Sequence, residues 1–369
     1  MNPAHVVMTA DAVGGVWTYA LDLASAFAGR GVRTTLAVLG PAPSPAQRAE
    51  AGAIAGLELL ETGLPLDWLA EGPGVVKQSG RRLAALAAGS GADMIHLNSP
   101  ALAVGGPFHA PVVGVCHSCL ATWWDAVRGG RLPEDFAWRT EQLAAGYGAC
   151  DLLIAPSFAF MQATTARYGR VPRVVRNGRS TDGRRLARAE KRPFVFASGR
   201  FWDEAKNVRA LDEAAMRMRR GQIYAAGPLA HAGAVAAPLR AAIELGRLSA
   251  PSVSAWLNRA AVFTSLALYE PFGLGVLEAA QAGCALVLSD IATHRELWEG
   301  AAVFVDPADA DGVAGALDRL VVDADEALRL GALAERRARS FTAAAMADGV
   351  MDAYRQLTAR HAAMQEAAA

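Results

Sequence analysis

Short apolar runs closed by turn residues alternate along this chain with stretches whose apolar positions recur every three or four residues, the pattern of strands feeding helices. Residues 6–9 predict a strand and Gly14-Gly15 a turn; Trp17, Leu21, Ala24 and Phe27 share one face of a helix ended by Gly29-Arg30-Gly31, and residues 32–39 form the next strand. A strand-helix-strand unit of this size implies a parallel sheet. The same reading places strands near 56–60, 94–97, 112–115, 151–155 and 173–176, with helical stretches at 47–55, 80–88 and from Ser157 to about Tyr168. Asn177-Gly178 is a strong turn signal, and residues 179–192 are polar and arginine-rich, as expected of a linker. A second series follows, with strands at 194–197, 223–226, 261–264, 285–288 and 302–305. Its helical stretches are expected at 230–242, from Val276 to Gly283, and at 309–322, 325–337 and 342–359. The predicted organisation is an amino-terminal domain over 1–178, a linker over 179–192, a second domain over 193–341, and a last helix over 342–369.

Composition narrows the function classes. At 369 residues the chain is long for one domain and sufficient for two, each with its own core. Acidic and basic residues balance at 36 each, so no net field favours nucleic acid. No stretch reaches about 18 strongly apolar residues and no basic segment leads into an apolar core. The expectation is a cytoplasmic protein without a transmembrane segment, with peripheral membrane contact left open. Four cysteines are too few for a disulfide framework, and the Cys116-x-x-Cys119 pair lacks a second pair at zinc-ribbon spacing, so no metal is expected. Only Lys77, Lys191 and Lys206 are lysines. Where arginine is so strongly preferred, a lysine inside a motif marks a place suited to a compact, mobile ammonium.

The densest candidate chemistry lies at 261–290, which reads as strand, loop, helix, strand. In such units a ligand sits where the strand's carboxyl end meets the next helix's amino end. Glu270 and Glu278 bracket that point, and carboxylates there can accept charge-assisted hydrogen bonds from the hydroxyls of a sugar. Gly273 and Gly275 permit close backbone approach, and the free amides of the helix start suit a phosphate. Glutamates around a helix start also occur simply because they favour the helix dipole. Glu270-Pro271-Phe272-Gly273-Leu274, followed by Glu278-Ala279 and Gly283, resembles the Glu-x7-Glu motif of retaining family 4 glycosyltransferases, which have the GT-B fold.

That resemblance extends over nearly the whole chain. Gly199-Arg200 and Lys206-Asn207 are similar to the family's phosphate-binding arginine and lysine, and Pro111 to His117 to its strand ending in an active-site histidine. Gly14 and Gly15 occupy the place of its glycine-rich loop near the donor phosphate, although a plain tight turn accounts for them equally well. Arg176 stands where the family often has the proline of Pro-Asn-Gly, and Gly246 to Ser249 resembles a short strand before the base contacts.

The resemblance implies α/β architecture with two doubly wound Rossmann-like domains facing across a cleft. It implies retaining transfer of a hexosyl group from a UDP-, GDP- or ADP-sugar to a carbohydrate or glycolipid acceptor, without metal or other cofactor. Arg200 and Lys206 would take the diphosphate, Glu270 hydroxyls of the donor sugar, Glu278 the ribose, and His117 the transferred sugar. The amides of Phe272, Gly273 and Leu274 would help orient it. Trp123 and Trp124, in a segment where the rings can equally be core, are candidates for stacking on an acceptor sugar. A nucleotide-sugar epimerase of the same fold and a catalytically silent nucleotide-sugar binder remain the alternatives.

Overall fold

The computed structural model describes every residue except 1, 181–188, 232, 233, 236 and 369. The chain forms two compact units, one made of residues 1–125, 129–178 and 343–369, the other of 126–128 and 179–342.

The first unit is built on seven strands: β1 (His5–Asp11), β2 (Arg33–Leu39), β3 (Leu57–Glu61), β4 (Met94–Leu97), β5 (Val112–Val115), β6 (Leu152–Ala155) and β7 (Arg173–Val174). They lie in the order β3-β2-β1-β4-β5-β6-β7, and every pairing is parallel. β1 is central and covered on both faces, which is why it reads as an unbroken apolar run rather than as an alternation; Val6, Val7, Met8 and Ala10 are all buried. Helix Gly15–Ala28 lays Trp17, Leu21, Ala24 and Phe27 on the core, the face expected from their spacing. The helix Ala343–Ala368 completes the same core with Met346, Val350, Met351, Tyr354 and Leu357. Phe27 meets Tyr354 at a ring separation of 6.0 Å. Strand order reverses between β1 and β4, and the carboxyl ends there open the crevice where doubly wound sheets hold ligands.

The second unit repeats the plan with β8 (Arg192–Ser198), β9 (Ile223–Ala226), β12 (Ile243–Gly246), β13 (Ala260–Ser265), β14 (Ala285–Ser289) and β15 (Val303–Val305). Their order is β12-β9-β8-β13-β14-β15, all parallel, with the reversal between β8 and β13. Successive residues serve opposite faces, as a pleated strand requires. Val195, Ala197, Val262 and Val287 pack with Leu211, Val313 and Leu317, while Phe196, Phe263, Leu286 and Leu288 pack with Leu277, Trp298 and Phe341.

Two expectations are corrected here. Residues 230–242 are not helical where described: β10 (Ala230–His231) and β11 (Ala234–Val235) pair antiparallel, and 237–242 run irregularly into β12. The buried carboxylate of Asp212, on helix Val208–Arg217, accepts hydrogen bonds from the amides of Arg240, Ala241 and Ala242 at 2.9–3.0 Å. Those amides therefore have partners without a helix, and Pro238 lacks an amide to give one. The strand expected at 246–249 is β12, which ends at Gly246; Ser249 instead caps helix Ala250–Arg259.

Of the expected linker, 181–188 lie outside the described residues, whereas Arg179 and Arg192 belong to bonded structure. The Arg179 amide donates to Phe341 O at 3.1 Å and its backbone forms a parallel bridge with Thr342; Arg192 opens β8. No described helix is long and apolar enough to cross a membrane.

Candidate active site

In the second unit, β8 delivers Ser198, Gly199 and Arg200 at the strand-order reversal. The exits of β8 and β9 cross so closely that a Cβ on Gly227, at φ +148°, would lie 1.8 Å from the Gly199 carbonyl oxygen. Only glycine fits there. Asp203 accepts from the Ala205 amide at 3.0 Å and caps the short turn Glu204–Lys206, after which Asn207 adopts φ +51° and starts helix Val208–Arg217. This turn holds Lys206 in place. Its Nζ lies 2.6 Å from Glu270 Oε2, with side-chain exposures of 20% and 15%. The Leu268 amide donates to Ala205 O at 2.8 Å, which ties the two loops together.

Burial alone would raise the Glu270 pKa, but the charge and hydrogen bond of Lys206, with smaller help from His294 and Arg200, bring it below the usual carboxylate value. Glu270 is therefore an anionic, acceptor-only group at neutral pH. Arg200 is the more exposed cation. Its guanidinium lies 3.6 Å from Asp203 and 5.5 Å from the Trp202 ring centre.

Gly273 takes φ +89°, a conformation that L side chains rarely adopt, with a Cβ position in tight contact with Val276 Cγ2 at 3.2 Å and Glu270 Cγ at 3.3 Å, and helix Leu274–Gln281 begins directly after it. The Phe272 side chain is core, packed edge-on against Phe341 at 5.7 Å, so only its backbone is available to a ligand. Glu278 lies one turn into the helix, and its Oε1 accepts from Arg179 Nη2 at 2.6 Å.

Two residues of this region were not legible as site residues. Arg179 belongs to a run of arginines that reads as a solvated linker, yet its side chain is only 4% exposed. His294 stands in the first turn of helix Ala292–Trp298, which follows β14, a helix-start position that could have flagged it. Its Nδ1–H donates to Ser289 O at 3.0 Å, while Nε2 is buried and finds no hydrogen-bond partner among the described residues. Burial lowers its pKa, which leaves Nε2 an acceptor whose charge state is coupled to Glu270 and Lys206.

In the first unit, β1 ends at Asp11, and Gly14, at φ −155° and ψ −147°, precedes helix Gly15–Ala28, whose start has no side-chain cap. Asn98, next after β4, donates through Nδ2 to Thr9 O at 2.6 Å, so its Oδ1 accepts the 2.7 Å hydrogen bond from His117 Nε2. That assigns the proton to Nε2 and a lone pair to Nδ1 of the neutral ring. Tyr19 packs edge-on against His117 at 4.7 Å, and burial lowers the His117 pKa to about 4. Behind it His96 is fully buried, its ring nitrogens 2.7 Å from Tyr354 Oη and 3.3 Å from Tyr19 Oη; burial lowers its pKa to about 3. Asp67 is a further titratable group on this side, its carboxyl raised to about 6 by burial against opposing hydrogen bonds from the backbone and Ser99.

Helix Leu120–Val127 carries Trp123 and Trp124. Trp124 packs edge-on against Phe136 at 5.6 Å, and its buried Nε1–H has no hydrogen-bond partner among the described residues. Both rings are half-buried. The predicted residues thus fall into two sets. Lys206, Glu270, Phe272, Gly273, Leu274 and Glu278, with Arg200 beside them, leave the carboxyl edge of the second sheet. Gly14, Gly15 and His117, with the two tryptophans shortly after, leave that of the first.

Two family models match successive parts of the chain. Residues 13–182 match the model of Glycosyltransferase Family 4 and residues 192–323 that of Glycosyl transferases group 1. No curated protein sequence matches. Among solved structures the chain is similar to sucrose-phosphate synthase from Thermosynechococcus elongatus, at 19% identity and a TM-score of 0.74 over 96% of this chain and 99% of that one. It is also similar to a glycosyltransferase from Rickettsia africae, at 14% identity and 0.70 over 97% and 99%. Anabaena Alr3699/HepE, solved in complex with UDP and glucose, follows at 16% identity and 0.69 over 96% and 100%. The chain is a glycosyltransferase of the GT-B fold, with a family 4 domain followed by a glycosyl transferases group 1 domain.

Proposed function

We propose that the protein transfers a hexosyl group from a nucleotide sugar to a carbohydrate or glycolipid acceptor, with retained anomeric configuration and without a metal ion. The observation that carries this reading is the Lys206–Glu270 pair. Taking two charges out of water commonly costs more than their attraction returns, so a largely buried pair on two loops is poorly explained by stability. It suits a ligand with both anionic and hydroxyl groups. A diphosphate would draw the ammonium of Lys206 and the guanidinium of Arg200, which would stabilise it as a leaving group, while Glu270 would accept from sugar hydroxyls. Glu278 would hold the ribose, the amides of residues 272–274 would orient the sugar, and the turn at Gly14-Gly15 would approach the phosphate. His117, neutral with its Nδ1 lone pair available, would contact the transferred sugar.

UDP and UDP-glucose are the first donors to test, because Anabaena Alr3699/HepE was solved with each of them. A thermal-shift series with UDP, GDP, ADP and their sugars should give a clear rise with one base, since a ligand at 100 times its Kd adds about 2.7 kcal/mol. Lys206→Ala and Glu278→Ala should each weaken that nucleotide at least tenfold, the scale of a lost hydrogen bond to a charged group. Unchanged affinity in both would remove the donor assignment.

On the acceptor side the proposal rests on Trp123 and Trp124, whose half-buried rings suit a sugar face, and on the Trp124 indole N–H, which has no hydrogen-bond partner among the described residues. The double alanine variant should raise acceptor KM with donor KM little changed. Equal KM values for both substrates in a stable variant would refute it.

A further inference from the structure

We infer that Arg179 is a positioning residue for the nucleotide ribose, its buried guanidinium holding the Glu278 carboxylate aimed; this rests on the donor site proposed above. The Arg179 backbone is fixed on both sides. Its amide donates to Phe341 O at 3.1 Å as part of the parallel bridge to Thr342, and its carbonyl accepts from Gln281 Nε2 at 3.4 Å. The side chain, 4% exposed, reaches Glu278 Oε1 at 2.6 Å, while Glu278 itself is 29% exposed. The cation is thus enclosed and the carboxylate keeps a face to solvent.

That asymmetry is what a positioning pair requires. A glutamate on a helix surface samples several rotamers, and a ligand that orders it loses affinity to that entropy. An enclosed arginine removes the freedom beforehand. A carboxylate offers about four lone-pair sites, and the guanidinium bond at Oε1 takes one of them. Gln281, one helical turn beyond Glu278, pins the arginine backbone, so the helix supplies both the carboxylate and part of the clamp that orients it.

The test is calorimetric titration of the full chain with UDP, GDP and ADP and with their 2′,3′-dideoxy counterparts. Arg179→Met should weaken the cognate ribonucleotide about tenfold and leave the dideoxy compound within about twofold, as should Glu278→Gln. Because the arginine acts through the glutamate, the double variant should be no weaker than the worse single one. Arg179→Lys, which keeps the charge, should show a smaller loss that is again confined to the ribonucleotide, and it decides the matter if Arg179→Met does not fold. Equal losses for ribo- and dideoxynucleotide would make Arg179 merely structural, and no loss would remove it from the site. Either result overturns the inference while leaving the donor site standing; a wild-type chain that binds none of the six would remove both.

Discussion

His96 sits between two tyrosine hydroxyls with its ring shut off from solvent, and with His117 and His294 it makes a set of histidines that the fold keeps neutral. The consequence is a sign for the acid response. Burial lowers the folded-state pKa of His96 to about 3 and of His117 to about 4, whereas an unfolded histidine titrates near 6.5. Below about pH 6.5 the unfolded chain therefore takes up protons that the folded chain refuses. Stability is full above that value and falls with pH until the folded rings accept their protons, by up to about 1.4 kcal/mol per pH unit for each histidine. Urea unfolding between pH 7 and pH 5 should show this limb, opposed in part by Asp67, whose carboxyl, raised to about 6, takes up its proton in the folded chain over the same range. His96→Gln, which keeps a donor and an acceptor between the tyrosines, should make it shallower by up to about 1.4 kcal/mol per pH unit; an unaltered slope would mean that His96 is not one of its sources.

At the level of elements, what the sequence made legible is what local periodicity controls. Both sheets are entirely parallel, as the alternation of apolar runs and helical faces implies, and β4 and β5 occupy the expected residues. Lys206, Glu270, Glu278 and His117 were legible because each stands at a strand's carboxyl end or a helix start, positions defined within a few residues of chain. The failures have the opposite character. Residues 230–242 have a helical composition, but their amides answer to Asp212, nearly thirty residues earlier. Arg179 looks like one linker arginine among several until Glu278, 99 positions away, supplies its partner. His294 carried a local signal, its place at a helix start, but its unpartnered Nε2 depends on packing that no spacing encodes. Burial of a charge is a tertiary property, and composition alone reads charge as solvated.

Over the whole molecule, the chain leaves the first unit after Gly178 and returns to it at Ala343, so that unit is discontinuous in sequence. The cores of the second unit draw only on residues 194–341, whereas that of the first needs Met346, Val350, Met351, Tyr354 and Leu357 as well. Each such side chain contributes about 1.5–3 kcal/mol on burial. Five of them amount to roughly the entire 5–15 kcal/mol margin of a domain. A chain stopped at Thr342 should therefore keep one calorimetric transition, that of the second unit, and lose the other. Retention of both would show that the closing helix is an accessory. The same discontinuity sets an order of events during synthesis. At about 5–20 residues per second, on the order of ten seconds separate Gly178 from Ala343 at the ribosome. For that interval the first-made half waits with the groove for its last helix open, and by its end, before that helix is made, the second-made half has the described residues that its cores draw on. The second-made unit is thus free to close its cores first, the reverse of the usual vectorial order.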